Sequence, residues 1–107
     1  MNIVNLTPHA VTFVDANNQI VRTIGASGVI ARVSTATKTI DSIDGIPVTI
    51  TEFGTVEKLP EPKANTIFIV SSLVAQRCTD RQDVFIPNES VRDTQGRIIG
   101  CRSLGKI

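Results

Sequence analysis

The sequence predicts a single domain over residues 1–107 that is mainly β, or α+β in a looser classification. The expected architecture is an antiparallel sheet or small barrel of short strands, with one short helix near residues 71–78. Short β-branched and apolar runs alternate with turn signals along most of the chain. Apolar residues make up 41% and charged residues 20% of the sequence, as in ordinary compact domains.

Turn residues divide the first half of the chain into strands. The runs VTFVD and QIVRTI flank ANN, a bend that suits the tolerance of asparagine for left-handed backbone. VIARVST, residues 29–35, predicts a third strand. TKTIDSI and IPVTITEF then flank Asp44-Gly45, a strong hairpin signal. Two prolines in LPEPK, residues 59–63, predict an extended surface loop.

The hydrophobic period changes in the second half. TIFIV, residues 66–70, predicts a buried strand, and Ser71 or Ser72 can then cap a short helix that ends at Cys78. DVFIP predicts another strand. Thr94-Gln95-Gly96 bends the chain between SVRD and RIIGCRSL, which predicts a final hairpin.

Charge and composition exclude several classes of partner. The net charge of +1 is too balanced for a protein that binds extended nucleic acid. The start MNIVNL has no features of a secretion signal, and the longest apolar cluster, IFIV, is far shorter than a membrane span. A cytoplasmic protein is expected. Cys78 and Cys101 lack metal-site spacing, so they are expected to be reduced thiols, with no metal and no cofactor.

The only histidine, His9, lies in the stretch NLTPHAV. Histidine is the usual general base near neutral pH, but no activated nucleophile motif accompanies it. Pro8 fixes φ, and the hydroxyl of Thr7 can bond nearby backbone, so a turn into the next strand is favoured. A ligand contact is the second interpretation, and catalysis is the third.

Basic residues concentrate in the last third of the chain, where five of the seven arginines lie. Residues 83–104 also carry Phe85 and Asn88, so an aromatic ring, an amide and guanidinium groups lie on one strand, loop and hairpin. These groups can stack on a base, recognise its edge and hold phosphates. The alternative is a solvated hairpin whose arginines pair with Glu89 and Asp93, with Phe85 in the core.

Four stretches carry a family resemblance: NLTPHAV, VIARV, TIFIVSSLVA and RDTQGRIIGCRSL. They resemble a family of small phage and bacterial proteins with an NLTPH start and a GRIIGCR-like end, which implies a phage or bacterial source and one domain. The size and residue types more loosely resemble the phage anti-Thoeris sponge proteins. Those oligomers bind cyclic ADP-ribose isomers, and some bind cyclic oligonucleotides, which withholds the signal from the host immune effector.

The leading hypothesis is a phage-encoded binding protein that sequesters a nucleotide-derived signal in the host cytoplasm without consuming it. Arg32, Arg92 and Arg102 would hold pyrophosphate oxygens. Asn88 would recognise the base edge, Phe85 would stack on the base, and Thr7 or His9 would add a hydrogen bond. Because a short chain offers little concave surface, the site is expected to lie between subunits of a homo-oligomer.

Two other functions stay open at this point. One is a protein-interaction module or an inhibitor of a host enzyme, in which the loop at residues 59–63 would make the contact. The other is a small hydrolase or lyase that uses His9 on a phosphoanhydride.

Overall fold

A computed structural model describes residues 1–107 and shows eight strands and one short helix. The mainly β class predicted from the sequence is confirmed. The elements in chain order are β1 (Asn2–Asn5), β2 (Val11–Val14), β3 (Ile20–Ile24), β4 (Arg32–Ile43), β5 (Ile46–Glu57), β6 (Thr66–Ile69), α1 (Ser72–Gln76), β7 (Val84–Arg92) and β8 (Ile98–Gly105). The single helix has five residues, and no helix here can span a membrane.

Six strands form one mixed sheet in the order β1-β6-β7-β8-β2-β3. The pairs β7/β8 and β2/β3 are antiparallel, as the predicted hairpins require, whereas β1/β6, β6/β7 and β8/β2 are parallel. The chain just after β3 meets β1 only at an isolated bridge between Asn5 and Ala26. The sheet therefore stays open, and of the two predicted architectures the small barrel does not form.

All three predicted hairpins are present. Asp44 and Gly45 have φ values of 50° and 78°, and two positive φ values are what a type I′ turn requires. The other two hairpins are closed by carboxylates. Asp15 Oδ1 accepts hydrogen bonds from two backbone N–H groups of the β2–β3 turn, and Asp93 Oδ1 does the same in the β7–β8 turn.

The elements differ from the sequence prediction at four points, one of which is that DVFIP and SVRD belong to one continuous strand, β7. The strands expected over residues 29–35 and 37–43 are one continuous strand, β4, because no glycine or proline interrupts the run. Helix α1 begins as predicted, with Ser71 Oγ accepting from the Val74 N–H, but it ends at Gln76 rather than Cys78. Strand β1 was not predicted, since its partner β6 lies far along the chain.

The sheet buries apolar side chains on both faces around β6. Phe68 and Val70 belong to the larger cluster, whereas Ile69 between them belongs to the smaller one, as strand alternation requires. Helix α1 and the base of the β4–β5 hairpin cover the larger cluster, which also holds Leu6, Ala31, Val33, Val74, Ala75, Cys78 and Val84. The smaller cluster joins Ile69 to Val11, Ile24 and Cys101.

Strands β4 and β5 form a separate two-stranded sheet that leaves the body of the protein. Only its base reaches the core, through Val33 and Val56. We call residues 35–53, the part beyond this base, the arm; almost all of its residues are exposed. The radius of gyration is 17.0 Å, whereas a compact domain of this length has about 13 Å. The arm is therefore a projection and not part of the packed body.

The loop at residues 59–63 is held to the body by an arginine. Arg81 makes a two-point ion pair with Asp83, with N···O distances of 2.8 and 2.9 Å, and also donates to the Pro60 carbonyl at 2.9 Å. Both partners of the ion pair are largely buried. The hydrogen bond from Arg81 lowers the pKa of Asp83 below its ordinary value of 3.8.

The variant Asp83→Asn is expected to lower the free energy of unfolding by about 1–2 kcal/mol at neutral pH, because Arg81 loses its charged partner. The pKa of Asp83 is lower in the folded chain, so its ionised form stabilises the fold above pH 3.8. That stability is lost as the pH falls through the folded-state pKa. Urea unfolding followed by circular dichroism should show the difference from wild type shrinking in acid.

The neighbouring Asp80 provides a matched control, since its side chain is exposed. Asp80→Asn should leave the free energy of unfolding within about 0.5 kcal/mol of wild type. If Asp83→Asn were as stable as Asp80→Asn at neutral pH, the ion pair would not be contributing to stability.

Candidate functional site

The corner between β1 and β2 is held by one side chain, Asn5, which is only 1% exposed. Its Nδ2 donates to the carbonyl oxygens of His9 at 2.8 Å and Ile24 at 3.2 Å. Its Oδ1 accepts from the Thr7 N–H at 2.9 Å and the Thr7 hydroxyl at 2.6 Å. All the usual hydrogen-bonding positions of this amide are therefore used inside the corner.

Thr7 and His9 have different freedom to contact a ligand. The single hydroxyl hydrogen of Thr7 faces two acceptors, Asn5 Oδ1 and the His9 carbonyl, so it is used within the corner. The His9 ring is exposed, and no serine, threonine or cysteine side chain hydrogen-bonds to it. Thr7 therefore has the structural role in the turn that the sequence predicts, whereas the exposed His9 ring can contact a ligand.

A surface groove of about 370 Å³ lies on β8 and its two neighbours in the sheet. Its volume falls within the roughly 300–1,000 Å³ of small-molecule pockets. Two of its side chains are strongly exposed isoleucines, Ile98 at 60% and Ile99 at 41%. The full lining is Ala10, Val11, Thr12, Pro87, Ser90, Ile98, Ile99, Gly100 and Cys101. The groove therefore combines apolar and polar surface, and its lining has no charged side chain.

A bulge and a glycine shape this groove. Val91 pairs with Gly100, but Arg92 pairs with Ile98, so Ile99 is an extra residue in β8. A Cβ atom at Gly100 would lie 2.8 Å from the Thr12 carbonyl oxygen. Only glycine lets β8 approach β2 this closely.

Four of the predicted ligand residues are next to lining residues along the chain or across the β7–β8 pair, although none of the four lines the groove itself. These are His9 beside Ala10, Asn88 beside Pro87, Arg92 opposite Ile98 and Arg102 beside Cys101. We call His9, Asn88, Arg92 and Arg102 the rim. All of them are exposed. The backbone around the groove thus carries an amide, an imidazole and two guanidinium groups.

The two rim arginines carry charge that no carboxylate neutralises. Arg92 donates to the Gly96 carbonyl at 2.7 Å, and Arg102 donates to the Asp15 carbonyl and, at 2.8 Å, to Asn18 Oδ1. All of these acceptors are neutral. The expected alternative, in which the hairpin arginines pair with Glu89 and Asp93, does not form, because the chain's one ion pair is Arg81–Asp83.

The thiol of Cys101 lies at the floor of the groove. Burial raises its pKa above the ordinary value, so it stays protonated at neutral pH. Its Sγ donates to the Thr12 carbonyl at 3.7 Å. A protonated, buried thiol is a poor nucleophile, so Cys101 contributes shape to the groove.

The other predicted ligand residues lie outside the groove. Arg32 begins β4 opposite Glu57, at the base of the hairpin. The Phe85 ring is covered by Lys106, whose Nζ lies 5.0 Å from the ring centroid, so its stacking face is already occupied. Thr7 is used in the Asn5 corner. The structure therefore does not bring Arg32 and Phe85 together with the rim, whereas Thr7 lies beside His9 with its hydroxyl hydrogen already used.

Sequence reasoning missed Asn5 and the isoleucines of the groove. Asn5 accepts from the N–H of Thr7, two residues on, and asparagine is a common residue for that turn. The adjacent pair Ile98-Ile99 interrupts strict alternation, which is a bulge signal. Both features could have been recognised from the sequence.

No three His, Cys, Asp or Glu side chains lie close enough together to hold a metal ion. Comparison of the chain with protein-family models, curated proteins and solved structures gives no match. The family resemblance stated from the motifs stays a prediction, and function has to be inferred from the groove and its rim.

Proposed function

We propose that this chain is a binding protein that sequesters a nucleotide-derived signalling molecule, a cyclic ADP-ribose isomer or a cyclic oligonucleotide, without consuming it. The observation that carries the proposal is the groove with the exposed Ile98 and Ile99, next to whose lining residues lie two arginines that have no carboxylate partner. The resemblance to anti-Thoeris sponge proteins supports the further proposal of a phage-encoded anti-defence role in the host cytoplasm.

The groove and rim match the two chemical parts of a nucleotide. A base or ribose has flat or apolar surface that can replace water over Ile98 and Ile99. The phosphates need cationic donors, and Arg92 and Arg102 are next to lining residues of the same groove. Asn88 adds an amide that can donate and accept toward a base edge.

A bound phosphate would replace weak bonds with stronger ones. Each rim arginine now donates to neutral oxygens. A phosphate adds a full opposite charge and can accept two parallel N–H···O bonds from one guanidinium, which a single neutral carbonyl cannot do. Exchange of these partners is therefore favourable and requires only side-chain movement.

The size of the groove supports assembly of more than one subunit. A volume of about 370 Å³ is at the lower end for small-molecule sites. A cyclic dinucleotide carries two bases and two phosphates, so it would extend beyond one groove. We propose that grooves from two copies enclose such a ligand in a homo-oligomer.

Isothermal titration calorimetry with cyclic ADP-ribose isomers and with cyclic dinucleotides tests this function. At least one ligand should bind the wild-type chain. The double variant Arg92→Gln/Arg102→Gln should raise its Kd by about 100-fold or more, because two charge-assisted bonds are lost. Arg22→Gln is the matched control, since Arg22 is an exposed arginine of the same sheet outside the groove.

Recovery of the ligand after incubation separates binding from turnover. Chromatography should return the ligand intact, whereas loss of the ligand over time would favour the hydrolase hypothesis. The chain has no Trp or Tyr, so a strong ultraviolet band near 260 nm in the purified protein would also reveal a bound nucleotide. Absence of heat with every ligand would overturn the proposal.

A further inference from the structure

The arm is an exposed ribbon that the chain does not cover. Two-stranded ribbons are marginally stable in water on their own, and only the base of this one packs on the core. Its strands are twelve residues each, longer than most strands in globular domains. Something must stabilise the outer part of the arm.

Strand register divides the arm into two unlike faces. On one face Thr37 opposes Thr51 and Thr39 opposes Thr49. We call this the threonine face; Thr35 and Phe53 pair at its base. Threonine is polar at its hydroxyl and favours strands, so this face suits contact with water.

The opposite face is apolar. Its cross-strand pairs are Ile43 with Ile46, Asp41 with Val48, Lys38 with Ile50 and Ala36 with Glu52. A bulge at Ile40 adds one more isoleucine to this side. We call it the isoleucine face. The exposed fractions are 55% for Ile40, 62% for Ile43, 67% for Ile46 and 43% for Ile50.

The body of the same chain cannot cover the isoleucine face. The Arg77 guanidinium, just after α1, lies 4.5 Å from the Phe53 ring centroid, and Phe53 belongs to the threonine face. The threonine face is thus directed toward the chain's own helix at its base. The isoleucine face, on the other side of the ribbon, points away from the body.

We infer that the isoleucine face binds the isoleucine face of a second copy of this chain, with the two arms antiparallel about a two-fold axis. The axis passes between Lys38 and Asp41, so β4 lies over β4 and β5 over β5. Lys38 of each copy then faces Asp41 of the other, which forms two reciprocal ion pairs. The face is therefore complementary to itself in charge.

The same arrangement also matches side-chain size. On β5, Val48 is the cross-strand partner of Asp41, and Ile50 is the partner of Lys38. Val48 of each copy therefore lies over Ile50 of the other. Ile43, near the tip, lies over the small side chain of Ala36. Ile46, the partner of Ile43, lies over Glu52 of the other copy. Glu52 is at the end of the contact, so its flexible side chain can keep the carboxylate in water.

A parallel arrangement of the arms is disfavoured by the same charges. With a two-fold axis along the arms, β4 of one copy would lie over β5 of the other. Lys38 would then face Ile50 and Asp41 would face Val48. Each charge would be desolvated without an ion partner, which is costly.

Sedimentation equilibrium of the full chain without ligand tests this interface. The expected mass is twice the 11.5 kDa of one chain, about 23 kDa. Ile46→Thr/Ile50→Thr should raise the dissociation constant at least about 100-fold, since four isoleucines are lost per dimer. Threonine keeps strand preference, and circular dichroism checks that the variant folds. Thr37→Ser/Thr51→Ser, on the other face, should leave the mass unchanged.

Charge exchange tests the antiparallel register. Lys38→Asp and Asp41→Lys should each weaken the dimer, because each brings like charges together. The double exchange Lys38→Asp/Asp41→Lys should restore it. A wild-type monomer, a dimer unaffected by the isoleucine substitutions, or failure of the double exchange to restore the mass would overturn the inference. Since no nucleotide is present, these outcomes are independent of the ligand proposed above.

Discussion

Replacement of Asn5 by alanine is expected to lower the free energy of unfolding by about 3–5 kcal/mol. The amide is buried and makes four hydrogen bonds, two as donor and two as acceptor. Alanine leaves the carbonyl of Ile24 and the N–H of Thr7 without their present partner, and the His9 carbonyl keeps only its bond from the Thr7 hydroxyl. Each buried polar group left unpaired costs about 1–3 kcal/mol, so the losses accumulate.

Urea unfolding followed by far-ultraviolet circular dichroism measures this effect, because the chain lacks Trp and Tyr. Asn17→Ala is the matched control, since Asn17 is an exposed asparagine in the β2–β3 turn. It should change the free energy of unfolding by no more than about 0.5 kcal/mol. Equal stabilities of the two variants would show that the corner does not depend on the Asn5 side chain.

Asn5→Asp separates the donor bonds of Asn5 from its acceptor bonds. The carboxylate can still accept from Thr7, but its other oxygen would face the carbonyls of His9 and Ile24. Burial beside two carbonyls should raise the pKa of this aspartate in the folded state. The variant should therefore be least stable at neutral pH and recover stability as the pH falls, because the protonated form can donate.

The Asn5 corner illustrates what local sequence can and cannot predict. The turn after Asn5 was expected from Thr7 and Pro8, and the hairpin at Asp44-Gly45 followed from the need for two positive φ values. The bond from Asn5 to Ile24 spans 19 residues, so it depends on how strands assemble. The parallel pairing of β1 with β6 has the same origin and was not predictable from turns.

The candidate site was predictable in part for a similar reason. Asn88, Arg92 and Arg102 lie on the one hairpin whose residues sequence reasoning placed together, and each is next to a lining residue of the groove. The groove itself needs β2 beside β8, a parallel pairing between distant strands. Arg32 and Phe85 were expected to contact a ligand. In the structure Arg32 lies opposite Glu57 at the base of the β4–β5 hairpin, and Lys106 lies over the Phe85 ring.

Gly100→Ala is expected to lower the free energy of unfolding by about 3 kcal/mol, because the new methyl group has no space. The added Cβ would lie 2.8 Å from the Thr12 carbonyl oxygen and 3.2 Å from Val14 Cγ1. The nearer atom is backbone, so relief requires β2 and β8 to move apart. Urea unfolding measures the loss. Gly25→Ala is the control, with nothing within 4 Å of its added Cβ, and should be neutral or slightly stabilising.

The reactivity of the two cysteines shows whether the Gly100→Ala substitution loosens only the strands around the groove. Cys101 Sγ donates to the same Thr12 carbonyl that the Gly100→Ala methyl group would displace, so separation of β2 from β8 exposes this thiol. Cys78 lies in the other core cluster beside α1 and should stay protected. Alkylation of the folded variant should therefore accelerate at Cys101 and not at Cys78. Equal acceleration at both thiols would indicate global loosening and contradict the close approach of β8 to β2 as the cause.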